Sequence, residues 1–178
     1  MAIESKIKRP TLFLDRDGVL NQKLPNDYVK QPAELQILDG VQEALFLLHD
    51  LFYPILVITN QQGIGKGLMS TNDLLNVHES LNAQLSDYKR IHEFYYCPHL
   101  AAIHCNCRKP ETGMFLQAQT DYPFIQWNRA WMVGDSKTDI QAAKKLGMKA
   151  VFIGDHDDQA DEQYQSLLEF AQSISRAR

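Results

Sequence analysis

Four aspartates follow two apolar runs of the sequence. Asp15 and Asp17 follow TLFL in "DRDG", while Asp135 follows WMVG and Asp139 comes one helical turn later. If the two runs are neighbouring parallel strands, their carboxyl ends meet at one edge of a sheet and bring the carboxylates together. Carboxylates that close repel one another unless a cation lies among them, and Mg²⁺ prefers such oxygen ligands. The pattern favours a magnesium site over two unrelated acidic turns.

Phosphoryl chemistry fits these residue types. An unperturbed aspartate is ionised at neutral pH, so Asp15 is a candidate nucleophile, and Mg²⁺ would reduce its repulsion from a phosphoryl group. Asp17 would need a raised pKa to protonate a leaving oxygen. Thr59 and Asn60 end another apolar run and offer a hydroxyl and an amide, while Lys109 offers a point charge for a phosphate. The sequence therefore predicts a site for a phosphate ester.

All three cysteines of the chain lie in the stretch "YYCPHLAAIHCNCRKP". Cys97, His99, Cys105 and Cys107 supply three thiolates and one imidazole, a complete set for tetrahedral Zn²⁺. Four protein ligands leave no open position, so the zinc is expected to be structural. A redox pair is disfavoured because no C-x-x-C is present, and His104, directly before Cys105, is the alternative imidazole.

Strand-like and helix-like segments alternate along the chain. Buried strands are predicted at 11–15, 54–60, 93–97, 131–135 and 150–154. Helices are predicted at 40–52, from 70 to about 88, at 112–122, at 138–146 and in the tail 161–178, which would dock Leu167, Leu168, Phe170 and Ile174. Residues 16–39 and the glycine-rich 61–67 are expected to be loops. The alternation predicts a three-layer αβα fold with a mainly parallel sheet.

Composition limits the class of protein. The chain has 178 residues, 44% hydrophobic and 22% charged, which predicts a single domain over 1–178. A net charge of −4 disfavours nucleic acid and anionic membranes as partners. The charged start "MAIESKIKRP" does not resemble a signal peptide, and an odd cysteine count argues against a disulfide framework. We therefore expect a cytoplasmic monomer with reduced thiols that acts on a small metabolite.

The residues above resemble a known family. "DRDGVL", "VITN", Lys109 in "CRKP" and "GDSKTD" are similar, in order and spacing, to the four motifs of the haloacid dehalogenase superfamily of aspartyl phosphatases. The resemblance spans roughly residues 11–154 and implies a Rossmann-like α/β fold. It implies that Asp15 is the nucleophile, that Asp17 is the general acid and then the base, and that Thr59 and Lys109 stabilise the phosphoryl group.

The same resemblance implies the metal ligands. Mg²⁺ would be held by Asp15, the backbone carbonyl of Asp17 and Asp135. Asp139 would lie next to these ligands without binding the ion itself. Substrate contacts would come from Asn60, Gln61, Arg108 and Lys109. No segment is long enough for a mobile cap, so a capless enzyme is expected, with access controlled by short loops.

Within the superfamily, "CPH…CNCRKP" resembles a zinc-binding branch with two known activities. "TNQQGIGKG" and "RKPETGMF", with Gly113 and Met114, look like the phosphatases of D-glycero-D-manno-heptose 1,7-bisphosphate. The loop Leu100–His104 has only five residues, which resembles the histidinol-phosphate phosphatases, and Val19 replaces the commoner threonine of the first motif. Removal of the C7 phosphate of the heptose is the expected function. The alternatives are histidinol-phosphate hydrolysis and, more remotely, a non-catalytic zinc-stabilised binding domain.

Overall fold

A parallel sheet forms the centre of the protein. A computed structural model describes residues 6–85 and 91–176, and within them six strands lie in the order β3-β2-β1-β4-β5-β6. The strands are β1 (Leu12–Leu14), β2 (Ile55–Asn60), β3 (Glu93–Cys97), β4 (Trp131–Gly134), β5 (Lys149–Ile153) and β6 (Glu162–Tyr164). Every neighbouring pair is parallel. All carboxyl ends therefore meet at one edge of the sheet, as expected.

Helices cover both faces of the sheet and confirm the three-layer prediction. They are α1 (Val41–Leu51), α2 (Gln62–Gly65), α3 (Thr71–Gln84), α4 (Gly113–Asp121), α5 (Lys137–Leu146) and α6 (Leu167–Arg176). One apolar cluster joins α1, α3 and α6 to one face, and a second joins α4 and α5 to the other. Alternate residues of β1 pack into different clusters: Leu12 and Leu14 belong to the first, and Phe13 belongs to the second.

The tail differs from its prediction at its beginning. Residues 161–166 were expected to be helical, but Glu162–Tyr164 forms the strand β6, and α6 begins only at Leu167. The segment "EQY" is short and polar, so it lacks the apolar pattern by which a buried strand is identified. Its pairing is to the backbone of β5, and Glu162 also forms an ion pair with Lys149 of that strand. The expected docking of α6 is confirmed: Leu167 and Phe170 are buried, and Leu168 and Ile174 pack against the same cluster.

Two other segments correct or confirm local predictions. The glycine-rich 61–67 is not wholly a loop, since Gln62–Gly65 forms the short helix α2, continued by hydrogen bonds such as Lys66 N–H to the Gln62 carbonyl at 3.0 Å. The predicted capping box is present, because the Ser70 hydroxyl accepts from Asp73 N–H and the Asp73 carboxylate accepts from Ser70 N–H. Helix α3 ends at Gln84, earlier than the predicted end near Tyr88, because Leu85 is extended; residues 86–88 lie outside the described residues.

The central strand positions the site. β1 lies between β2 and β4, with Leu14 beside Val57 and Val133, so Asp15 emerges between the ends of both neighbours. Asp15 N–H donates to the Val133 carbonyl at 2.9 Å, which fixes its backbone. The connection from β1 to α1 contains one 3₁₀ turn, 32–34, and no domain-sized insertion, as expected of a capless chain. No helix among the described residues has the length and apolar character needed to cross a bilayer.

Candidate active site and zinc site

Three of the four predicted aspartates converge at the strand ends. Asp15, Asp135 and Asp139 each present a carboxylate oxygen, and these atoms lie within 4.8 Å of one another. Asp15 follows β1, Asp135 follows β4, and Asp139 belongs to the first turn of α5. The convergence was predicted from the parallel register. Asp139 belongs to this group, but its Oδ1 lies 2.6 Å from the Lys109 ammonium and its Oδ2 accepts from Ser136, so its place next to the metal ligands stays a prediction.

Lys109 connects two of these carboxylates. Its ammonium lies 2.8 Å from Asp15 Oδ1 and 2.6 Å from Asp139 Oδ1, and it donates to the Ile58 carbonyl at 2.6 Å. Only 2% of its surface is exposed. Burial alone would lower the pKa of Lys109, but the charges of Asp139 and Asp15 raise it above its usual value. The lysine is therefore a permanent cation inside the site.

One buried lysine does not neutralise three carboxylates. Burial raises the pKa of Asp15 to about 7, against the opposing effect of Lys109, and the charge of Asp139 adds to the rise. Asp135 accepts from Lys23 at 2.7 Å through Oδ2, while its buried Oδ1 has no hydrogen-bond partner among the described residues. A buried acceptor without a partner costs free energy. An oxygen-ligand cation such as Mg²⁺ fits this donor set, since it would complete that oxygen and offset the repulsion.

Asp17 is held apart from the other three. Its carboxylate accepts from Arg16 Nη2 at 2.9 Å on both oxygens, from Asn21 Nδ2 at 2.9 Å and from Gln61 Nε2 at 2.8 Å. Burial would raise its pKa, but the Arg16 charge and these hydrogen bonds lower it below the usual range. These contacts therefore favour the ionised form of Asp17, opposite to the raised pKa that proton donation requires.

The end of β2 contributes in three different ways. Thr59 is buried and lines the pocket described below. Asn60 holds the backbone of Lys109, accepting its N–H at 3.0 Å and donating to its carbonyl at 3.2 Å. Gln61 is fully buried and donates to Asp17 and to the Thr59 hydroxyl, and it does not line the pocket. The expected substrate contact of Gln61 is not supported by this geometry, whereas an orienting role is.

Close backbone approach explains one glycine of the first motif. Gly18 has φ = 96°, and a Cβ at this position would lie 2.2 Å from Asp135 Oδ2. Any larger residue would both strain the backbone and displace Asp135. Val19, the departure from the commoner threonine, is buried in the apolar core, so its methyl groups are compatible with the fold.

A pocket of about 490 Å³ opens over the strand ends. Asp15, Asp17, Thr59, Asn60 and Lys109 line its floor. Three further cationic side chains also line the pocket: Lys23, Lys66 and Arg108. Nη1 of Arg108 is buried without a hydrogen-bond partner among the described residues. The size suits a small metabolite, and the cations favour an anionic one.

The cysteine cluster also assembles as predicted. Cys97, His99, Cys105 and Cys107 each present a ligand atom, all within 4.8 Å of one another, and His104 does not belong to the group. The three sulfur–sulfur distances are 3.1, 3.4 and 3.5 Å, and His99 Nδ1 lies 3.1 Å from Cys107 Sγ. A disulfide requires about 2.05 Å, whereas sulfurs that share a tetrahedral zinc ion with bonds of about 2.3 Å are somewhat under 4 Å apart. The arrangement fits a closed zinc site and excludes a disulfide here.

The thiols differ in their surroundings. Burial raises the pKa of Cys97 to about 12. Burial would also raise the pKa of Cys105, but hydrogen bonds from the Arg108 N–H and from the neighbouring thiols lower it to about 6. A metal ion would bind all three as thiolates. The hydrogen bond from Arg108 also ties the cluster to the segment that carries Lys109.

Fold and site together define a class: a Rossmann-like α/β hydrolase of the haloacid dehalogenase type, with an aspartate at the end of the central strand and a buried lysine beside it. The HAD-hydrolase-like family model matches residues 106–172. A protein of Mycobacterium bovis named D-glycero-alpha-D-manno-heptose-1,7-bisphosphate 7-phosphatase is 39% identical over 175 residues, covering 94% of this chain and 92% of the relative. A Photorhabdus laumondii protein named as the beta-anomer 7-phosphatase is 36% identical, covering 80% and 79%.

Solved structures agree with these relatives. The D,D-heptose 1,7-bisphosphate phosphatase of B. bronchiseptica, complexed with magnesium and phosphate, superposes with a TM-score of 0.84 at 27% identity, covering 95% of this chain and 99% of that one. The chain belongs to the haloacid dehalogenase-like hydrolases and, within them, to the heptose-1,7-bisphosphate 7-phosphatase family.

Proposed function

We propose that the protein is a Mg²⁺-dependent phosphatase that removes the C7 phosphate of D-glycero-D-manno-heptose 1,7-bisphosphate through an aspartyl-phosphate on Asp15. The observation that carries the proposal is the common pocket of Asp15, Thr59 and Lys109, with additional cations around it. Family membership supports the same substrate, because the relatives are named for it. Residues 1–178 would act as a single phosphatase domain.

The reaction would proceed in two displacements. A carboxylate oxygen of Asp15 attacks phosphorus, the bond from phosphorus to the sugar oxygen breaks, and that oxygen takes a proton from Asp17. Water then attacks the aspartyl-phosphate and returns a proton to Asp17, while the bond to the Asp15 oxygen breaks and inorganic phosphate leaves. The Thr59 hydroxyl and Lys109 would hold the phosphoryl oxygens during both steps.

Two metals are part of the proposal. Asp15, Asp135 and the backbone carbonyl of Asp17 would hold Mg²⁺, and the bound ion would neutralise phosphoryl charge. Asp139 contacts Lys109 and would fix its position. Cys97, His99, Cys105 and Cys107 would hold a structural Zn²⁺ that orders the loop preceding Arg108 and Lys109.

A bisphosphate needs cations at two places. Lys109 is engaged at the strand ends, so the second phosphate requires positive charge elsewhere in the pocket. Arg108, whose Nη1 has no hydrogen-bond partner among the described residues, and Lys66 also line the pocket, and they would bind the C1 phosphate. A substrate with one phosphate would leave these cations unpaired, and the pocket should therefore prefer a bisphosphate.

Histidinol phosphate is the second candidate substrate, favoured by the five-residue span Leu100–His104 between the zinc ligands. The deciding experiment measures kcat/KM with Mg²⁺ for the alpha and beta anomers of heptose 1,7-bisphosphate and for histidinol phosphate. We expect one heptose anomer to exceed histidinol phosphate by at least about 100-fold. A higher value for histidinol phosphate would overturn the heptose assignment. In parallel, Asp15→Asn should abolish turnover while the protein stays folded; retained activity would exclude the aspartyl-phosphate.

A further inference from the structure

Arg16 is the largest fully buried side chain among the described residues, and the reaction described above gives it no role. Its exposed fraction is 0%, although it lies between Asp15 and Asp17 in the sequence. It does not line the pocket, so it cannot contact a substrate there. Its guanidinium instead meets the Asp17 carboxylate, with Nη2 2.9 Å from both oxygens and Nε 3.3 Å from Oδ1. A buried arginine that serves one carboxylate in this way fixes both its position and its orientation.

The other side of the guanidinium rests on His78. Arg16 Nη1 lies 3.3 Å from His78 Nε2, and His78 is 4% exposed on the inner side of α3. Arginine only donates hydrogen bonds, so Nε2 must be the acceptor and the ring proton must be on Nδ1. The ring stacks on Phe94 of β3, with centroids 4.3 Å apart and an interplanar angle of 15°. His78 is therefore a rigid, neutral acceptor whose ring orientation is fixed by the sheet.

The three residues form a chain from the sheet to the pocket. Phe94 fixes the His78 ring, the ring fixes one edge of the guanidinium, and the other edges hold Asp17, which lines the pocket. Asn21 and Gln61 complete the contacts of the same carboxylate. These two amides are neutral, so each of their hydrogen bonds is weaker than the charge-assisted contact to the guanidinium, which is the dominant restraint on the carboxyl group.

We propose that Arg16 and His78 are positioning residues for Asp17: the guanidinium holds the carboxyl group at the place from which it serves the leaving oxygen, and His78 holds the guanidinium. The inference rests on the proposed role of Asp17 in phosphate-ester hydrolysis, but not on the identity of the sugar. The competing explanation is that the buried contacts only stabilise the fold.

The two explanations predict different kcat/KM values for phosphate esters with different leaving groups. An alkyl phosphate needs a proton on its departing oxygen, while p-nitrophenyl phosphate releases a stable anion and needs little help. In His78→Phe, which keeps the stacked ring but removes the acceptor, kcat/KM should fall about tenfold for the sugar phosphate and less than about twofold for p-nitrophenyl phosphate. Arg16→Lys, which keeps the charge but removes the fork, should give the same pattern. His78→Gln places an acceptor near the position of Nε2 and should restore most of the loss.

Two further variants complete the test. Val77→Ala creates a buried cavity one residue before His78 on α3 and changes neither Arg16 nor His78. It should lower stability but leave the ratio of the two kcat/KM values unchanged. Asp17→Asn should show the largest leaving-group effect, and adding His78→Phe to it should cause no further loss of kcat/KM, because both changes act through one carboxyl group.

Equal losses for both esters, or additive losses in the double variant, would overturn the inference and leave a purely structural role. If the wild-type protein prefers another alkyl phosphate over the heptose, the substrate proposal fails while the same ratio still tests Arg16 and His78. Absence of hydrolysis of every ester would overturn both proposals.

Discussion

Lys66 is a restrained cation at the wall of the pocket. Its ammonium lies 5.2 Å from the centre of the Tyr28 ring at the pocket wall. Tyr28 is itself fixed, since its hydroxyl accepts from Gln62 Nε2 at 3.2 Å and its ring lies against Gly63, where a Cβ would come within 2.9 Å. The aromatic face therefore restrains a cation that would otherwise sample many rotamers.

We expect Lys66→Ala to raise KM about fivefold for a sugar bisphosphate and to change kcat little, because an exposed cation that binds a distant phosphate contributes about 1 kcal/mol. KM for the corresponding monophosphate should change by less than about twofold. Lys30→Ala is the matched control: Lys30 lies two residues after Tyr28, but it pairs with Asp27 and does not line the pocket. Equal changes for both esters would show that Lys66 does not discriminate the second phosphate.

Sequence patterns predicted the site residues that follow strands, but not those that orient them. Asp15 and Asp135 could be paired in advance because parallel strands bring their ends together. Arg16 and His78 are 62 positions apart, and nothing local marks a histidine on an amphipathic helix as the partner of a buried arginine. Their contact depends on the packing of α3 against β3. Proton donation was expected to require a raised pKa for Asp17, whereas the charge of Arg16 and the hydrogen bonds from Asn21 and Gln61 lower it.

At the scale of elements, the loop from Cys97 to Lys109 is held at several points. The four ligand residues gather its turns, Asn60 pairs with the backbone of Lys109, and Gly113 N–H donates to the Asn106 carbonyl at 2.8 Å. A Cβ on Gly113 would lie 2.5 Å from that carbonyl oxygen, which explains a glycine at the start of α4. Strand β2, helix α4 and the cysteine–histidine cluster thus orient Lys109 together.

Cys105→Ala should therefore affect both metal content and catalysis. We expect zinc, measured by plasma mass spectrometry, to fall from one ion per chain to well below one, and the melting temperature to drop by about 5 °C or more. Because the loop precedes Arg108 and Lys109, kcat/KM should fall as well. Asn106→Ala, an exposed change within the same loop, should preserve all three quantities. A fully folded wild-type protein purified without zinc would contradict the structural role.

Most elements could be predicted because their signals are strong and local. The buried runs of β1, β2 and β4, the amphipathic α1 and the capping box of α3 each depend on residues close in sequence. β6 and α2 were missed for a physical reason. A three-residue polar strand is stabilised by backbone pairing to β5, and a single helical turn among glycines is stabilised by surrounding contacts, so neither depends on a propensity that the sequence displays.

For the molecule as a whole, buried histidine makes stability depend on acidity. Burial, and next the charge of Arg16, lower the pKa of His78 to about 3, from 6.5 in an unfolded chain. Asp17, which raises it slightly, and the rings of Phe94 and Tyr96 are its other neighbours. Between these two pKa values the unfolded chain binds one more proton than the folded chain. The free energy of unfolding is therefore unaffected by His78 above pH 6.5, and it decreases as the pH falls from 6.5 toward 3.

Urea unfolding at pH 7, 6 and 5 measures this effect. The free energy of unfolding should decrease with falling pH more steeply in the wild type than in His78→Phe, with a difference that approaches about 1 kcal/mol per pH unit below pH 6. The carboxylates contribute equally to both proteins and cancel in the comparison. Parallel curves for the two proteins would mean that His78 is protonated in the folded state or accessible to water.

The cysteine–histidine cluster and the pairing of Asn60 with Lys109 have one more consequence, for how this enzyme type can diversify. Both ends of the segment Leu100–His104 are fastened, by His99 on one side and by Cys105 on the other, and Lys109 has its own attachment to β2. We expect residues inserted between these two attachments to have a small entropic effect and to leave Lys109 in place. We therefore expect that segment 100–104 can change length, and with it the substrate range, while the residues at the strand ends keep their positions. Grafting a longer segment here would be a route to new specificities.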